Sequence, residues 1–107
     1  MRERTGNQSG ARAPTESSVV WEEILNLRRA FKATIRKCER ATNEQEQREA
    51  IRELGRLTRQ LTKTAKPLAS QPKYAIKVIH IMTATAKDAF ALSRNPVLSK
   101  FGHQVGN

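Results

Sequence analysis

Apolar residues recur along this chain at three- and four-residue intervals in three separate stretches, the spacing of amphipathic helices. In the first, Val20, Ile24, Leu27, Phe31, Ile35 and Cys38 follow a 4-3-4-4-3 rhythm that predicts a helix near 19–41. Ser17 or Ser18 can cap its first amides, and Glu22 and Glu23 suit its positive N-terminal end. The second stretch, near 43–66, opens with two overlapping capping-box spacings, Thr42 to Gln45 and Asn43 to Glu46. Its inner face is read as Ile51, Leu54, Leu57, Thr58, Leu61 and Ala65, and Pro67 either ends or kinks the helix. The third, near 72–94, begins with a proline at a first-turn position and stops before Asn95-Pro96. Ala75, Ile79, Met82, Ala86, Ala89 and Phe90 form one stripe on it, widened by Tyr74, Val78, Ile81 and Leu92. The run from Ala75 to Ile81 is β-branched enough for a strand, but the chain offers no second strand to pair with it.

The expected fold is therefore all-α: a helical hairpin plus a third helix. Residues 1–16 mix Arg, Gly, Ser, Asn and Gln without periodicity and read as a disordered basic arm. Residues 17–95 make a single helical domain, and 96–107 a flexible C-terminal tail or a short docking segment. About 80 residues bury little surface alone, and the third helix has apolar residues around nearly half its circumference. A homodimeric bundle follows, with Ala75, Ile79, Met82, Ala86 and Phe90 at the dimer interface.

Charge changes the picture more than composition does. The 107 residues carry 20 Lys+Arg against 10 Asp+Glu, a formal net charge of +10. No stretch is long and apolar enough to span a membrane, and the N-terminus lacks the apolar core of a secretory signal, so an intracellular, cytoplasmic location is expected. Such a balance points to a polyanion as partner.

Where the bases sit is more telling than how many there are. All six cations of the second helix, Arg48, Arg52, Arg56, Arg59, Lys63 and Lys66, are spaced 4-4-3-4-3. At 100° per residue they fall within about 80° of arc, nearly opposite the Leu/Ile face, as a ridge about 27 Å long. Glu44, Glu49 and Glu53 support the first half of that ridge as helical ion pairs. Beyond Glu53 the acids stop: residues 54–107 hold nine Lys+Arg and one acid, Asp88. Stability does not call for that excess, because like charges on one surface repel. Arg28, Arg29, Lys32 and Arg36 on the first helix are expected as secondary contacts, with Arg2 and Arg4 as tethers.

A ridge without a cluster of Asn or Gln offers little base readout. Five aromatic residues, three of them needed for packing, give no platform for stacking single strands, and Trp21 reads as core. A rigid duplex contacted along its backbone fits better, with A-form RNA favoured and DNA possible. An amphipathic helix, a turn, a long basic helix ending in Leu68-Ala69-Ser70-Gln71-Pro72 and a further apolar segment together resemble the B2 proteins of nodaviruses. Arg56 and Lys63 match that family's basic positions by their distance before Pro72, and the resemblance covers residues 19–82. Pro67 departs from the family's continuous second helix, as do the long third helix and the basic C-terminal part. The resemblance implies an all-α dimer that lies along double-stranded RNA without sequence preference. It also implies suppression of RNA silencing, by keeping long duplexes from dicing and short ones from loading.

Enzyme chemistry finds no catalytic residues here. Cys38 lies on an apolar stripe and reads as an inert buried thiol. His80 and His103 have no Cys, Asp or Glu at ligand spacing, so no metal and no cofactor is expected. The paired acids serve helix starts, and neither a Gly-x-Ser-x-Gly elbow nor a phosphate loop occurs, which leaves no small-molecule substrate in view. Two other classes stay open: a non-specific DNA-binding accessory protein of nucleoid or mobilisation type, and a helical protein-protein adaptor.

Overall fold

The computed structural model describes residues 16–101, which form three long helices and one short one, with no strand among them. They are α1 (Glu16–Glu39), α2 (Glu44–Ala69), α3 (Pro72–Ser93) and the 3-10 turn α4 (Pro96–Ser99). The expected all-α architecture is present. The N-terminal arm, apart from Glu16, and the last six residues lie outside the described residues.

The turn from α1 to α2 is fixed by one of the two capping boxes. Asn43 is the N-cap, its side chain accepting from the Glu46 amide at 2.9 Å. Glu46 reaches back to accept from the Thr42 amide at 2.9 Å and the Thr42 hydroxyl at 3.0 Å. At the other end α2 runs through Pro67 to Ala69, three residues beyond the expected stop. Pro67 is exposed and sits in the last turn, so only the Lys63 carbonyl loses its helical donor. Leu68, buried just after it, holds that last turn against the core.

α1 begins earlier than its apolar pattern suggests, at Glu16. The Ser17 hydroxyl donates to Gln71 Oε1 at 2.8 Å, tying the first turn of α1 to the α2–α3 connection instead of capping α1. From that end α1 and α3 run side by side in the same direction, with α2 antiparallel to both. The core has two adjoining parts. Ile24, Leu61, Ala65, Leu68, Tyr74 and Val78 fill one end. Phe31, Cys38, Ala50, Leu54, Leu57 and Leu92 fill the other, and Leu27 packs against both.

Several inner-face expectations need correction. Ile51 is 44% exposed and Thr58 is also exposed; Gln47, Ala50 and Leu68 take the buried places on α2. The hydrophobic arc is thus rotated slightly, because Ala50 permits the close approach of α1 that Ile51 would block. From Pro96 to Ser99 the expected tail forms α4, which docks as a short segment. Val97 and Leu98 pack on the core beside Leu92, and buried Gln47 donates to the Val97 carbonyl at 2.8 Å. The Lys100 ammonium donates to the Glu39 carbonyl at 3.3 Å, closing the end of α1.

Candidate nucleic-acid interface

The six cations of α2 are all exposed on the side of the helix away from its buried face. They are not equivalent. Arg48 pairs with Glu44 at 2.8 Å. Arg56 is held by both oxygens of Glu53, at 2.5 and 3.0 Å, and also donates to Gln60 at 3.2 Å. That fork keeps the Glu53 carboxyl below the ordinary glutamate range and raises the Arg56 guanidinium further. Arg52, Arg59, Lys63 and Lys66 have no hydrogen bond or ion pair within the described residues. Arg59 lies over Gly55, whose missing side chain leaves a guanidinium nitrogen 3.6 Å from where a Cβ would stand. Four unengaged cations therefore occupy a helix stretch of about 21 Å.

The four α1 residues expected as secondary contacts do not extend this ridge. Arg28 is a structural residue. Its guanidinium pairs with Asp88 of α3 at 2.5 Å, donates to the Thr85 hydroxyl at 3.2 Å and leaves its side chain only 15% exposed. Arg29 donates to Asn26 at 2.7 Å and stays exposed. Lys32 and Arg36 line a groove whose far wall is α3, through Asp88, Ala91 and Leu92. Arg36, Lys37 and Arg40 also border the opposite groove, where Glu46, Glu49 and Glu53 of α2 face them. Acids of α2 thus separate the cations of α1 from the outward ridge, and one continuous surface of ten bases does not form.

Sequence reasoning centred on α2 passed over a second set of cations. Lys73, Lys87 and Arg94 are exposed along one edge of α3, and Lys77 lies 5.7 Å from the ring centres of both Trp21 and Tyr74. The available signal was the seven-residue interval between 73, 80, 87 and 94, masked by the apolar content of the same helix.

Cys38 is fully buried, and burial pushes its thiol above the ordinary range, which disfavours the nucleophilic thiolate. Trp21 is half-buried against Tyr74, 5.9 Å between ring centres, and is part of the packing. No group of three or more His, Cys, Asp or Glu able to hold a metal occurs among the described residues, and none of their helices is long and apolar enough to cross a membrane. No protein-family model matches the chain, and no curated protein or solved structure matches it either.

Proposed function

We propose that the protein binds double-stranded RNA along its phosphate backbone, without reading sequence, through the outward face of α2. The observation that carries this reading is the set Arg52, Arg59, Lys63 and Lys66: four exposed cations on one face of α2, with no hydrogen bond or ion pair among the described residues. No ion pair among the described residues uses their charge, and a row of that length suits the regular phosphates of a duplex. A-form RNA is recognised largely by shape and by its phosphates and 2′-hydroxyls, which asks for a rod and not for base-reading side chains. The continuity of α2 through Pro67 removes one departure from the B2 pattern, whose second helix is also unbroken. The same pattern carries the proposal to its biological form: a suppressor of RNA silencing that shields duplexes from dicing and from loading.

The test is a gel-shift panel of double-stranded RNA, double-stranded DNA and single-stranded RNA at one salt concentration. Arg59→Ala with Lys63→Ala weakens duplex RNA binding about tenfold or more and leaves helicity unchanged, since exposed substitutions away from caps cost within about 0.5 kcal/mol. Equal loss across DNA and RNA duplexes favours the DNA-accessory alternative. Binding unchanged by the double substitution overturns the ridge as the site.

A further inference from the structure

α3 buries one face and displays another. Tyr74, Val78, Thr85 and Leu92 turn inward, while Ile76, Ile79 and Phe90 stand 66%, 60% and 63% exposed. With Thr83 and Ala86, the exposed residues follow a 3-4-3-4 spacing, the a and d positions of a heptad. Large residues mark the two ends of this seam and small ones its middle, so another helix can approach closely there. The seam covers about 21 Å. A lipid surface needs no such register, and membrane-seeking helices present a broader face of large apolar groups.

The two edges of the seam differ. Lys73, His80, Lys87 and Arg94 occupy every e position, and all are exposed. The g positions are Ala75, Met82 and Ala89, none of them charged. The only acid of α3, Asp88, is turned to Arg28. Arg94 lies 5.5 Å from the Phe90 ring centre, which keeps the basic edge beside the apolar one. In heptad pairs, e and g charges select partner and orientation.

We infer that this seam docks an amphipathic helix from another protein, apolar at its a and d positions and lined with carboxylates along the edge that meets Lys73, His80, Lys87 and Arg94. A second copy of this chain is the poorer occupant. Antiparallel pairing of two α3 helices sets basic edge against basic edge. Parallel pairing sets each basic edge against Ala75, Met82 and Ala89, leaving every cation without a counter-charge. A carboxylate edge neutralises the row in either orientation. The inference stands apart from duplex binding, because no residue of the seam or its edges belongs to the α2 ridge.

The probe is a fluorescein-labelled 21-residue peptide with Leu at a and d and Glu at e and g, alongside the same peptide with Lys for Glu. Fluorescence anisotropy with the full chain is expected to show micromolar binding of the Glu peptide and none of the Lys peptide. Ile79→Ala with Phe90→Ala, and separately Lys87→Gln with Arg94→Gln, each weaken it tenfold or more. Arg59→Ala with Lys63→Ala removes the same charge from the ridge and changes it less than twofold. Circular dichroism confirms that each variant keeps its helicity, as exposed positions allow. Two results overturn the inference. One is binding that survives the seam variant or falls equally with the ridge variant, which is charge attraction alone. The other is a wild-type dimer that Ile79→Asp converts to monomer and that the peptide does not displace, which assigns the seam to a second copy.

Discussion

Arg28 shows how far a residue's role depends on what the fold brings to it. On the sequence it is one of a run of cations beside the apolar stripe of α1, equivalent to Arg29 or Lys32. In the structure it spans α1 to α3, pairing with Asp88, donating to Thr85 and lying 5.9 Å from the Phe31 ring centre. Asp88 is sixty residues away, and no local spacing announces the pair. The Asp88 side chain is 38% exposed, so solvent screens part of the attraction. Removing Arg28 nevertheless leaves the Asp88 carboxylate without its ion pair and strips the buried Thr85 hydroxyl of its donor. Arg28→Ala is expected to cost about 1–2 kcal/mol of stability by urea denaturation. Its effect on duplex affinity is expected to stay within about twofold. A large loss of affinity with little loss of stability would return Arg28 to the contacting residues.

At the level of elements, the helices were legible where one face is apolar and the opposite face charged. α2 is the clearest instance: its cap, its Leu54/Leu57/Leu61 face and its ridge all follow from local spacing. α3 was legible as a helix but not in orientation, because it has two apolar faces and periodicity alone does not say which one turns inward. Where the segment around Val97 docks was illegible for another reason: the partner of the Val97 carbonyl, Gln47, is polar and fifty residues distant. The α2 start yields a prediction in which pH separates its two capping groups. Hydrogen bonds from the Thr42 amide and hydroxyl lower the Glu46 carboxyl from its ordinary value. A lowered folded-state pKa means the folded protein binds fewer protons, so the contribution is complete above the unfolded value, about 4.3. It is lost as pH falls through the folded value. Glu46→Gln is therefore destabilising at pH 7, and its difference from wild type shrinks as denaturation is repeated at pH 5, 4 and 3. Asn43→Ala removes an uncharged cap, costs about 1 kcal/mol, and keeps that cost across the same series. Parallel pH curves for Glu46→Gln and wild type would refute the assignment.

Across the whole molecule the quantity that decides the proposed duplex binding is how many of the ridge cations a duplex can engage. The position of the ridge was plain from 100° geometry, but the division of its six members into paired and unpaired was not, since that depends on side-chain reach. If Arg52, Arg59, Lys63 and Lys66 each neutralise one phosphate, the logarithm of the binding constant falls against the logarithm of salt concentration with a slope of roughly −3.5. Were Arg48 and Arg56 to leave their glutamates for phosphates, the slope would approach roughly −5.5. Glu53 is the residue that decides between them, because it grips Arg56 through two hydrogen bonds in the middle of the row. Releasing the guanidinium needs no change in the fold: both side chains are on the surface, and Glu53→Gln keeps the shape of the helix. Glu53→Gln is expected to steepen the slope by about 1 and to tighten duplex binding at low salt, with the gain vanishing as salt rises. Arg56→Ala on its own then leaves the wild-type slope nearly unchanged, since the wild-type arginine is already occupied. A wild-type slope near −5.5 that drops by about 1 in Arg56→Ala would mean that the Glu53 fork opens on binding, and the site would comprise the full ridge.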